Sequence, residues 1–103
     1  MWAQLIKMRV KAGRENELAG MFDGLQQAEQ PGSGLLRTVA MQEQGDPRNA
    51  YVLVVFESEE KARAREKDPR RSELLKGVQA TMAEMFDGPP EFTDLTVVRD
   101  VSG

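Results

Sequence analysis

The sequence predicts an α+β domain with the ferredoxin-like order β-α-β-β-α-β and an antiparallel sheet, spanning residues 1–103 as one unit. Three observations carry that prediction. Four short segments have the period of two that belongs to strands. Two longer regions space their apolar residues three and four apart, as amphipathic helices do. Most junctions between them contain glycine or proline, which punctuate regular structure.

Trp2 to Val10 alternates, with Trp2, Ile6, Met8 and Val10 on one face and Ala3, Leu5, Lys7 and Arg9 on the other. Lys11-Ala12-Gly13 ends this first strand. A helix is predicted from Glu15 to Gln30, its apolar stripe formed by Leu18, Met21, Phe22, Leu25 and Ala28. Gly20 and Gly24 within it each cost about 1 kcal/mol relative to alanine. Their spacing fits close packing against the sheet or simple tolerance equally well. Pro31-Gly32-Ser33-Gly34 turns the chain into a second strand, Leu35 to Gln42, and the loop 45–49 leads to a third, Tyr51 to Phe56.

Ser58 can cap the next helix, with Glu59 and Glu60 in its first turn. Asp68-Pro69 interrupts it, because proline disfavours helix at the preceding residue. A second helical run carries Leu74, Leu75, Val78, Met82, Met85 and Phe86 on one face, and Asp87-Gly88-Pro89-Pro90 stops it. Glu91 to Arg99 is the fourth strand, with Phe92, Leu95, Val97 and Val98 as its apolar members.

The third strand is apolar on both faces. A sheet covered by helices on one side only should alternate, so this strand predicts a covering for its second face. One small domain has too few helices to supply it, and the sheet of a second copy is the economical answer. The expected partner is therefore a second copy, in a homodimer formed through the sheet face.

Composition excludes more than it asserts. The chain has no cysteine and no histidine, so it offers no disulfide, no thiolate nucleophile and no imidazole proton shuttle. The commonest haem and zinc ligand is missing as well. The aspartates at 23, 46, 68, 87, 94 and 100 show no ligand spacing, so no metal site is expected. A net charge of −3 and strands without paired exposed aromatics argue against nucleic acid. No apolar run approaches membrane-spanning length and no leader precedes the first strand, so no membrane association and a cytoplasmic location are expected. Lys61 to Lys76 carries seven basic and three acidic residues. A solvated helix face is the commoner meaning of such a run, and an anion-attracting rim beside a pocket is the other.

The whole chain resembles the antibiotic biosynthesis monooxygenase family of the dimeric α+β barrel superfamily. The likeness rests on Val10-Lys11-Ala12-Gly13-Arg14-Glu15 after the opening strand, on the Pro31-Gly32-Ser33-Gly34-Leu35 turn and on Phe56-Glu57-Ser58-Glu59-Glu60-Lys61-Ala62 entering the second helix. Asp68-Pro69-Arg70-Arg71 before a long helix completes it. The resemblance implies a homodimer with sheets packed face to face and a pocket in each subunit between helices and sheet. It also implies activities resembling cofactor-free oxidation of polycyclic aromatic phenols to quinones, or haem degradation. Where active members carry tryptophan, asparagine and histidine, this chain has Phe56, Val52 and Arg65.

Cofactor-free oxygenation needs an apolar pocket for a phenol, with a cation or donors favouring its deprotonated form. Arg65 or Arg71 can supply the charge, since arginine stays protonated. Phe22, Phe56, Met82, Met85 and Phe86 can supply the walls, although ordinary core is the commoner use of such positions. The expected ligand-binding set is thus Phe22, Phe56, Arg65, Arg71, Met82 and Phe86, with no catalytic residue assigned and no cofactor. Glu59 and Glu60 are better explained by the helix dipole than as an acid pair, and Gly32-Ser33-Gly34 precedes a strand, not the helix a phosphate loop requires. Two functions stay open: a cofactor-free monooxygenase-like protein acting on a small hydrophobic aromatic metabolite, and a non-catalytic dimeric ligand-binding or regulatory domain.

Overall fold

In a computed structural model describing residues 1–103, the four alternating segments form strands β1 (Trp2–Arg9), β2 (Leu35–Gln42), β3 (Asn49–Phe56) and β4 (Glu91–Thr96). Three helices connect them: α1 (Leu18–Gln27), α2 (Glu59–Glu66) and α3 (Pro69–Met85). The sheet order is β2-β3-β1-β4 and every neighbouring pair is antiparallel. Only β2 and β3 are joined directly. The other two connections cross over through helices, which gives the expected ferredoxin-like arrangement.

Boundaries moved where a partner ran out. β4 was expected to reach Arg99 but stops at Thr96, because its only neighbour is β1 and Thr96 already faces Trp2. One further bond, Val97 N–H to Met1 O at 3.3 Å, ends the ladder. At the other end of β1, Val10 leaves the strand and forms an isolated bridge with Phe86. The first helix was expected from Glu15 but opens as a 3-10 turn, Glu15–Glu17, with no side-chain cap at Arg14. Arg14 spends its guanidinium on Glu17 instead, at 2.7 Å.

The predicted cap at Ser58 forms, and Asp68 adds a second. Ser58 Oγ accepts from Lys61 N–H at 3.2 Å, and Asp68 Oδ1 accepts from Arg70 N–H at 2.9 Å. Asp68-Pro69 therefore starts a new helix as well as ending one, with proline at the helix start where its missing N–H costs nothing. Gly24 is a close-packing site, but against α3: a Cβ there would lie 3.1 Å from Val78 Cγ2. Gly20 has nothing within 4 Å, so only one of the two glycines is required by packing, and neither by the sheet.

All helices lie on the face carrying Trp2, Ile6, Met8, Ala50, Val52, Val54 and Phe56. The main core joins Met8, Val10, Ala50 and Val52 to Leu18, Met21 and Met85. A second cluster, Trp2, Phe56 and Ala62, forms at the opposite end of the same face. The other face of the sheet has no helix over it. There Leu5 sits between Leu53 and Thr93, and Val39 is next to Leu53, while Met41 and Leu95 stay 43% and 37% exposed. Only 13 of 103 residues are buried, as expected when one sheet face and part of the other remain open.

Candidate functional site

Between the two core clusters the helices and the sheet do not close on each other. They leave a solvent-accessible cavity of about 800 Å³, within the roughly 300–1,000 Å³ of small-molecule sites. Strand alternation builds its floor, because Trp2, Gln4 and Ile6 on β1 share a face with Val52, Val54 and Phe56 on β3. The apolar stripe of α1 adds Met21, Phe22 and Leu25, and α3 adds Met82. Ile6, Val54, Phe22, Leu25 and Met82 are only partly buried. The same periodicity that would make a core here makes a cavity wall.

Polar groups gather where α2 meets α3. Arg65 Nε donates to both carboxylate oxygens of Glu29, at 2.8 and 2.9 Å. The guanidinium also lies 5.3 Å from the centre of the Phe56 ring. With side chains only 16% and 19% exposed, this pair is shielded from water and from salt. Arg71, in the first turn of α3, lines the same cavity. Its Nε is buried without a hydrogen-bond partner. Burial, and then the like charge of Arg65, push its pKa below the usual arginine value against the opposing pull of Glu29 and Glu66. Glu29, Lys61, Arg65, Asp68, Arg70 and Arg71 also line a smaller polar recess of about 120 Å³.

Five of the six expected binding residues meet at this cavity: Phe22, Phe56, Arg65, Arg71 and Met82. Phe86 does not reach it. It packs partly buried against the main core, held there by its bridge to Val10. Met85 is wholly buried in that core, so it is no wall either. Trp2 and Glu29 are additions. Trp2 pairs in register with Phe56, with ring centres 6.0 Å apart. The chain's one indole is thus found directly across the ladder from Phe56. Strand parity put Trp2 on this face; nothing in the local sequence marked Glu29.

Most of the basic run from Lys61 to Lys76 is neutralised. Lys61 pairs with Glu57, Arg63 with Glu59, Glu66 and Asp94, Arg70 with Asp68, and Lys76 with Glu73. Arg63 also lies over Trp2, 5.1 Å from the ring centre. The solvated-face reading holds for these residues. Arg65 and Arg71 are the exceptions that line the cavity, and of the two only Arg65 has a carboxylate partner.

The family model for antibiotic biosynthesis monooxygenases matches residues 1–76. The chain belongs to that family. No curated protein matches its sequence. Solved structures agree on the fold. An arginine-to-serine variant of MhuD with two manganese protoporphyrin IX molecules bound per active site aligns over 100% of both chains, with TM-score 0.79 and 22% identity. An asparagine-to-alanine variant of SnoaB, a cofactor-independent oxygenase from Streptomyces nogalater, covers 99% of this chain and 97% of its own, with TM-score 0.74 and 14% identity. A conserved protein from Methanosarcina mazei Go1 covers 92% of this chain and 91% of its own, with TM-score 0.72 and 16% identity. At such identities the likeness is one of fold. No helix in the family member described here is long and apolar enough to cross a membrane.

Proposed function

We propose that this protein is a cytoplasmic, homodimeric, cofactor-free monooxygenase-like protein acting on a small hydrophobic aromatic metabolite. The observation that carries the reading is the cavity itself, with an apolar floor and, among its charged lining residues, Arg71, whose Nε has no hydrogen-bond partner. An aromatic phenol fits such a site. Its neighbouring cation lowers the energy of the phenolate, whose proton leaves to water. The phenolate supplies the electrons that O₂ needs; one oxygen atom enters the ring as the quinone carbonyl and the other leaves as water. The apolar walls keep bulk water from the reactive anion.

A porphyrin is the other family ligand, and the residues present do not fit it. Histidine and cysteine are absent. Tyr51 pairs with Lys7 on the far face of the sheet, and of the side chains that usually ligate haem iron the cavity offers only methionine thioethers. No step is assigned to haem.

Leu5, Val39, Leu53 and Val55 support the dimer, because they leave the outer sheet face apolar with no helix over it. A monomeric mass by light scattering at micromolar concentration overturns that part of the reading. Oxygenation is tested by incubating anthrone-type and quinol substrates with the protein under O₂. Quinone formation above the uncatalysed rate is the expected result, and its absence overturns catalysis. Binding without turnover supports the non-catalytic ligand-binding reading instead, which Val52 and Phe56 on the cavity floor favour because neither side chain offers a hydrogen bond.

A further inference from the structure

Three arginines line the cavity; Arg37, on β2, is exposed to solvent, and the circumstances of the other two, Arg65 and Arg71, differ. Arg65 is committed: its Nε is shared between both oxygens of Glu29 and its guanidinium covers Phe56. Arg71 is within the electrostatic reach of the same Glu29 and of Glu66. Glu29 already serves Arg65, and Glu66 serves Arg63 at 3.4 Å. Asp68, the other nearby carboxylate, holds Arg70 at 2.8 Å and caps α3. Arg71 therefore keeps a buried N–H without a partner, on a charged group whose nearest cation repels it. A buried donor left unmade costs about 1–3 kcal/mol, more on a charged group. An arrangement of this kind relaxes when an oxyanion arrives, and a guanidinium fork matches a carboxylate or an ionised phenol.

We propose that the cavity selects aromatic ligands bearing an ionised oxygen group, and that Arg71 is the residue that selects them, while Arg65 serves as a neutralised wall. The proposal rests on the cavity being an aromatic-binding site and adds the charge its ligand must carry. The Glu29–Arg65 pair has a defined part in it. By occupying the carboxylate that would otherwise neutralise Arg71, Arg65 keeps Arg71 available.

The test compares 1-naphthoate, its neutral carboxamide and a nitronaphthol ionised at neutral pH. Binding is measured by calorimetry and by quenching of Trp2, the one tryptophan, which lines the cavity. The wild-type protein should bind naphthoate about ten- to a hundred-fold tighter than the carboxamide, the range of one charge-assisted hydrogen bond. The nitronaphthol arm shows whether a phenolate serves as well as a carboxylate. In Arg71→Met the preference should fall to about one while carboxamide binding stays within about threefold of wild type, since the apolar floor is untouched. Arg71→Lys, which keeps the charge without the fork, should keep part of the preference and guards against misfolding of the first variant. Equal affinity for naphthoate and carboxamide in the wild type overturns the proposal and leaves the proposed function standing. Binding of neither probe overturns both. A preference that survives Arg71→Met and disappears in Arg65→Met also overturns it.

Discussion

The helix-covered face of the sheet ends in two regions built from the same residue types with opposite outcomes. At the Val10 end, methionine, valine and leucine side chains close on each other, and Val10 and Met85 are fully buried. Toward the Phe56 end, Trp2, Phe56 and Ala62 form a small cluster, and between it and the main core Val54, Phe22 and Met82 border space. What separates the regions is the neighbour each side chain meets across the layer. At the first end α1 and α3 deliver Met21 and Met85 onto Met8 and Val52. At the second, arginines arrive instead, and the layer stays open.

Removing a closed-end side chain should do the most damage. Met85→Ala is expected to cost about 3 kcal/mol and lower the melting temperature by more than about 10 °C. A loss below about 1 kcal/mol in urea unfolding would mean that this end is not packed as described. Glu29→Gln comes next. It leaves Arg65 mostly shielded without its carboxylate, and a loss of about 1–2 kcal/mol is expected, below the cost of breaking a fully buried pair because both groups keep some contact with water. Met82→Ala should cost only about 1 kcal/mol, since part of that side chain already borders the cavity. If Met82→Ala and Met85→Ala cost the same by chemical denaturation, the contrast between the two ends fails.

The smallest effect is acid sensitivity, with one carboxylate at each end. Hydrogen bonds from the Arg70 side chain, then from backbone N–H groups, hold the Asp68 carboxyl below its ordinary pKa. The Arg9 side chain, then the Arg48 backbone, do the same for Asp46. A depressed folded-state pKa contributes stability above the unfolded value, about 3.9, and that contribution disappears as pH falls through the folded value. Unfolding midpoints followed from pH 6 to pH 2 should therefore drop in the acid limb. Asp68→Asn and Asp46→Asn should each flatten that limb, and an unchanged profile in both would locate acid sensitivity elsewhere.

Legibility in the sequence tracked the range of each interaction. Ser58 was readable as a cap because a cap acts within three residues, whereas Asp68 was readable only as the break before Pro69 and its capping bond to Arg70 emerged in the fold. The faces of β1 were readable because alternation is local, whereas the third strand, apolar on both faces, needed its register with β1 to put Val52, Val54 and Phe56 on the side of Trp2. Phe86 was misplaced for a reason of the same kind. The helical stripe assigned it to one face with Met82, but α3 ends at Met85, and Phe86 turns out in an extended conformation to pair with Val10. The last residue of a stripe belongs to the cap, and its side chain follows the chain's new direction.

By itself the sequence determined the order of elements, the cap at Ser58 and the two faces of β1, because all three follow from φ/ψ preferences and spacings within one element. Only the tertiary structure decided that the apolar stripes close into a core at one end and enclose a cavity between that core and the Trp2–Phe56 cluster. It alone decided that Gly24 meets Val78 on α3. It also resolved the two arginines, six residues apart in the chain and equivalent on paper. Glu29, 36 positions before Arg65, reaches one of them and leaves the other unpaired. Ion pairing over such a separation depends on which backbone positions folding brings within a few ångströms, and no local spacing encodes that.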